Sequence, residues 1–128
     1  MSEKIKSYAA KEPKEKFEPF GFEASQLVLI ARLKVKPNSV ESAKQAALAI
    51  IEDSRAEDGC LNYDFHQAID DETIFIWHET WENKAAIEAH GASKHFKSFS
   101  RLIKDSVDEP LQITLTRMVS EKAQSSGI

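Results

Sequence analysis

From Leu27 to Val35 the side chains alternate in parity. Leu27, Leu29, Ala31, Leu33 and Val35 hold one parity, and Val28, Ile30, Arg32 and Lys34 hold the other. A period of two predicts a strand. Pro37-Asn38 stops it, and Asn38 with Glu41 three residues on has the spacing of a capping box. A helix is expected from there. Its apolar stripe is Val40, Ala43, Ala47, Ile50 and Ile51, with Glu41, Lys44 and Glu52 off it. Gly59 ends the connection that follows.

Alternation returns from Cys60 to Ile69, with Leu61, Tyr63 and Phe65 on one side and Asn62, Asp64 and His66 on the other. Asp70-Asp71-Glu72 reads as a turn. The next strand spans Thr73 to Trp81. Phe75, Trp77, Glu79 and Trp81 share one face, and Ile74, Ile76, His78 and Thr80 the other. Asn83 has the chemistry to cap a short helix running to Ala89 or His90, with Gly91 ending it. Ser93 is placed to cap another, whose stripe is Phe96, Phe99, Ile103 and Val107. Pro110 is expected to break that helix. Leu111, Ile113, Leu115 and Val119 then alternate as a fourth strand.

This order is strand, helix, strand, strand, helix pair, strand. It predicts an α+β, ferredoxin-like split βαββαβ fold, an antiparallel sheet with helices on one face. The other face keeps apolar residues, and one domain has no second layer for it. A homodimer joined sheet to sheet is therefore expected. The domain is expected over residues 27–119, after an N-terminal arm (1–26) and before a polar tail (120–128). The arm is rich in Lys and Glu between Lys4 and Lys16. It also carries Phe17, Phe20 and Phe22, aromatics that predict docking on the domain or on a partner subunit.

Composition narrows the function classes. The chain of 128 residues is 41% hydrophobic and 30% charged, ordinary for one globular domain. A net charge of -4 argues against nucleic acid as a partner. No apolar run has the length of a membrane span, and the polar N-terminus lacks a signal core. Cys60 is the only cysteine, so no internal disulfide forms, and a reducing cytoplasm is the expected location. None of the four glycines falls in a phosphate-loop spacing.

The candidate chemistry lies between Cys60 and Phe96. Glu79 sits on a strand face otherwise made of Phe75, Trp77 and Trp81. A carboxylate among large apolar groups has a raised pKa and suits a base near neutral pH. The competing reading is a buried ion pair with Arg32 or Arg117. His90, one residue before Gly91, either reaches a pocket or complements the helix C-terminus. His95 ranks below it. His66 and His78 fall on the face opposite the aromatics, and no metal site is expected. Trp77, Trp81 and Phe96 are core or pocket wall, and Tyr63 joins them if the strand register is regular.

From Leu27 to Val119 the chain resembles the antibiotic biosynthesis monooxygenase family. The residues that carry this are Val35-Lys36-Pro37, Glu57-Asp58-Gly59-Cys60-Leu61-Asn62-Tyr63, Glu79-Thr80-Trp81-Glu82, His90 and Ser93-Lys94-His95-Phe96. The resemblance implies a dimeric α-β barrel. It also implies a monooxygenase that needs no cofactor and oxidises a quinol, phenol or polycyclic aromatic with molecular oxygen. Glu79 and His90 would be catalytic, and Trp77, Trp81, His95, Phe96 and Tyr63 would hold the substrate. Other relatives isomerise small metabolites, which keeps an isomerase or lyase open, as is a binding protein without turnover. Haem degraders in the group carry an Asn on the first strand. Here that strand has none.

Overall fold

The computed structural model describes residues 25–120. The expected arm, with Phe17, Phe20 and Phe22, lies outside these residues apart from its last two, and so does nearly all of the expected tail. Four strands are present: β1 (Leu27–Val35), β2 (Cys60–Gln67), β3 (Ile74–Trp81) and β4 (Val107–Thr116). Between them run α1 (Val40–Leu48), α2 (Ile51–Arg55), α3 (Lys84–Gly91) and α4 (Lys94–Ile103). The sheet order is β2-β3-β1-β4 and every neighbouring pair is antiparallel. This is the ferredoxin-like arrangement that the alternation predicts.

Period two sets the layering. Leu27 opposes Trp81, Leu29 opposes Glu79, Ala31 opposes Trp77 and Leu33 opposes Phe75. All eight are buried, with Ala43 and Ala47 of α1, Ile87 of α3, and Phe99 and Ile103 of α4 against them. The helices therefore cover this face. The opposite parity of β1 is half-buried along its length.

Several local expectations give way to stronger constraints. Asn38 caps nothing: Pro37 favours a 3-10 turn over Pro37–Ser39, and Ser39 precedes α1 without a side-chain cap bond. Glu41 accepts from the Gln45 side chain instead, at 3.0 Å. The single helix expected after Pro37 is two, α1 and α2, joined at Ala49–Ile50. Leu61 leaves the Tyr63 face, because a register shift between Cys60 and Asn62 inserts one extra residue. It is exposed, and so is Ile69, beyond the end of β2.

Val107 belongs to β4, not to the helix, and pairs with Val35. Pro110 lies inside β4. It is tolerated because β4 is an edge strand whose pairing with β1 shifts there: Arg32 opposes Gln112 but Lys34 opposes Glu109. Val119 lies past the end of β4 and is exposed. The caps at the other helices form as their chemistry requires. Asn83 Oδ1 accepts from Ala86 N at 2.9 Å, and Ser93 Oγ accepts from Phe96 N at 3.2 Å.

Candidate active site

Three segments converge beside the sheet. The loop after α2 supplies Glu57, the last turn of α3 supplies His90, and the first turn of α4 supplies His95. Gly59 makes the loop possible. Its φ is +85°, and an added Cβ would lie 2.7 Å from Ala86 Cβ on α3. Gly59 O accepts from Glu82 N at 2.8 Å, which ties the loop to the end of β3. Ser93 links the two helices: its hydroxyl donates to His90 O at 2.7 Å while capping α4.

Glu57 Oε2 meets His90 Nδ1 at 2.7 Å and His95 Nε2 at 2.6 Å. One carboxylate oxygen thus takes both imidazole N–H groups. The three side chains are 14%, 7% and 17% exposed, and their ligand atoms lie within 4.8 Å of one another. Burial alone would raise the Glu57 carboxyl. The hydrogen bonds and charge of His90, then of His95, outweigh it and hold the group below its ordinary value. Glu57 is therefore ionised, and Nδ1 of His90 carries the proton. Nε2 of His90 is the other ring nitrogen. It is buried and has no hydrogen-bond partner.

His90 stands in a cage of rings. Trp81, Phe96, Tyr63 and His95 have centroids 4.9, 5.2, 5.4 and 5.8 Å from its own. Beside it, a partly open cavity lies between sheet and helices. It spans about 50 Å³ to the centres of water-sized spheres, more than one water occupies. Tyr63, Trp77, Glu79, His90, Phe96 and Phe99 line it with Leu29, Ala31 and residues of α3 and β4. Its exposed walls are apolar, so the polar atoms of Glu79 and His90 sit just behind them.

Glu79 is 5% exposed and accepts from Trp81 Nε1 at 2.8 Å. Burial drives its carboxyl above the ordinary value. The charge of His90 and the Trp81 bond oppose this without reversing it, and Glu57 adds to the rise. The expected ion pair with Arg32 or Arg117 is not made. Arg32 Nη1 contacts Glu109 at 3.2 Å, and Arg117 is exposed. Burial also pushes up the Tyr63 hydroxyl and the Cys60 thiol.

Of the residues singled out by sequence, Glu79, His90, Trp77, Phe96 and Tyr63 meet at the cavity. Trp81 and His95 do not line it. Trp81 is fully buried and holds Glu79, and His95 holds Glu57. His66 and His78 are exposed, with His78 Nδ1 3.1 Å from the Asn62 amide nitrogen. Glu57 is the residue that sequence reasoning missed as a site residue. Its sequence signal was the Glu57-Asp58-Gly59 turn leading into β2.

Known proteins share this frame. YcnE of Bacillus subtilis, named "Putative monooxygenase YcnE", is 33% identical over 92 residues, covering 72% of this chain and 97% of its own. The crystal structure of PA3566 from Pseudomonas aeruginosa superposes with a TM-score of 0.71 at 33% identity, covering 77% of this chain and 98% of that one. The structure of Rv0793 from Mycobacterium tuberculosis has the same fold, with a TM-score of 0.72 at 24% identity, over 77% of this chain and 100% of its own. The sequence signature of one family, antibiotic biosynthesis monooxygenase, matches residues 26–102, from the start of β1 into α4. That span includes Glu57, Glu79, His90 and His95, and the chain belongs to the antibiotic biosynthesis monooxygenase family.

Proposed function

We propose that this protein is a monooxygenase that oxidises a phenolic or quinol ring with molecular oxygen, using its own side chains to start the reaction. The observation that carries this reading is the Glu57–His90 pair beside an apolar cavity. Glu57 fixes the His90 tautomer, so that Nε2 is free to accept a proton. A flat ring slides between Trp77, Phe96 and Phe99, parts the apolar wall, and presents its hydroxyl to Nε2. The phenolate that forms gives up an electron to oxygen far more readily than the phenol does. Oxygen then adds at a ring carbon bearing hydrogen. Loss of water from that hydroperoxide leaves a quinone, with one oxygen atom in the product and one in water.

Glu79 has a second part in this scheme. Burial raises its carboxyl above the ordinary value, which makes it readier to hold a proton than an exposed carboxylate, and Trp81 holds one of its oxygens. A buried acid of this kind is suited to donate a proton to the departing oxygen. The sequence expectation left Glu79 and His90 interchangeable; this scheme gives the acid role to Glu79 and the base role to His90. Among the described residues no Lys or Arg lines the cavity, which weighs against a phosphorylated substrate.

The test is oxygen uptake by metal-stripped protein with a panel of naphthoquinols, catechols and anthrones. Uptake above autoxidation that is abolished in His90→Ala and reduced in Glu57→Gln supports the reading. Product without oxygen uptake points to the isomerase or lyase that the same base would serve. A ligand-dependent rise in melting temperature without product points to a binding protein. Val28, Ile30, Ile74 and Ile76 leave the outer sheet face partly apolar, which supports pairing of two copies. Sedimentation at monomer mass over the micromolar range would rule that out.

A further inference from the structure

We infer that Glu57, His90 and His95 form a zinc site whose occupation shuts off the base beside the cavity. The donor set is two imidazoles and a carboxylate, from a loop and the facing ends of two helices. Zinc accepts such a set and leaves its fourth tetrahedral position to water. Among the described residues no Lys or Arg contributes to the cluster: Glu57 makes its ion pairs with the two imidazoles. The cluster is closed enough to retain an ion. His95, 17% exposed at the start of α4, gives it an entry side.

The geometry needs the side chains to adjust around an ion, from ligand atoms that all start within 4.8 Å of one another. Zinc–ligand bonds of about 2.0–2.2 Å in a tetrahedron set neighbouring ligand atoms about 3.4 Å apart. The two N–O separations are 2.7 and 2.6 Å, so each opens by roughly 0.7 Å. Glu57 on a loop and His95 in a first turn have that freedom in their side-chain torsions.

The consequence falls on the far edge of the His90 ring. With Glu57 accepting from Nδ1, the neutral ring keeps its lone pair on Nε2. With zinc on Nδ1, the proton of a neutral imidazole resides on Nε2. That nitrogen then donates and cannot accept. For the neutral ring, the change is one of tautomer. Metal binding and base function are mutually exclusive at this histidine, and this effect on turnover rests on the function proposed above.

The experiment is a zinc titration of the full-length, untagged protein in competition with a chromophoric chelator. One equivalent should bind in the micromolar range or tighter, and binding should be lost in His95→Ala and in Glu57→Ala. Imidazole nitrogen NMR on the wild-type chain gives a readout that depends on no variant's folding. The His90 Nε2 resonance should move from the unprotonated to the protonated range as zinc is added. Absence of stoichiometric binding, unchanged binding in His95→Ala, or a His90 Nε2 that stays unprotonated with zinc bound would each overturn the proposal. These readouts need no substrate. If zinc binds and oxygen uptake is never found, the site stands and the oxygenase reading falls; if uptake depends on His90 and zinc does not bind, the reverse holds.

Discussion

Replacing Glu57 by alanine tests the central geometry most directly. The substitution removes the acceptor of two ring N–H groups. His90 Nδ1 belongs to a side chain only 7% exposed, so water reaches it poorly. Losing a hydrogen bond to a charged group there costs about 1.5–3 kcal/mol. His95 is more open and recovers part of its loss from solvent, leaving about 0.5–1 kcal/mol. The sum is about 2–4 kcal/mol, or a melting temperature lower by roughly 8–16 °C in a domain of this size. Glu57→Gln keeps one acceptor oxygen but turns an N–H toward the other donor, so it should fall about midway. Differential scanning calorimetry gives the ranking wild type, Gln, Ala. In turnover, both variants free His90 to take the wrong tautomer, and kcat should fall by about 10²–10⁴. Three melting curves within about 2 °C of one another would refute the reasoning, because the shared oxygen would then be holding nothing.

Three further outcomes are expected. Gly59→Ala should destabilise the fold by about 2–4 kcal/mol, since it combines a left-handed backbone with a 2.7 Å approach to Ala86 Cβ; adding Ala86→Gly should recover the clash but not the backbone strain, and full recovery would show that strain is absent. Glu79 has a folded-state pKa above its unfolded value, so its contribution is complete below the model-compound value of 4.5 and is lost as pH rises through the folded value. The stability of Glu79→Gln relative to wild type should therefore grow as pH rises from the ordinary value of 4.5 and level off once the folded value is passed, and parallel denaturation-midpoint curves would contradict the shift. Ala31→Leu should fill the cavity at a cost of about 1–3 kcal/mol from overpacking and weaken ligand affinity by about tenfold or more; an unchanged affinity would place the ligand elsewhere.

The parts of the fold with strict period two were legible. In β1 and β3 each buried residue has a two-residue phase, and pairing them brings Glu79 among Phe75, Trp77 and Trp81 as the alternation implies. Asn83 and Ser93 were legible too, because capping is local chemistry. The failures occur where local signals compete. Phe96, Phe99, Ile103 and Val107 continue a helical spacing, and Lys104, Asp105 and Ser106 contain no glycine or proline to interrupt it. Pairing of Val107 with Val35 decides the boundary, which is a tertiary fact. Leu61 fails for the same reason, since an extra residue next to Gly59 inverts its face. Glu57 stands in a turn with no periodicity, 33 residues from His90. Its burial follows from how α2 and β2 approach α3, and nothing in the neighbouring residues encodes that.

Pro110 bears on how the molecule meets others of its kind. The outer edge of β4 would otherwise offer a row of unpaired backbone groups, the template on which extended chains add and fibres grow. Pro110 has no backbone donor to offer, and the register shifts beside it break the regular ladder. Exposed Asp108, and Glu109 in its pair with Arg32, come immediately before it. A strand approaching this half of the edge finds interrupted hydrogen bonding and repulsion for acidic neighbours. The proline that would end a helix thus leaves this strand one backbone donor short, and an edge so interrupted is a poorer template for amyloid-like growth.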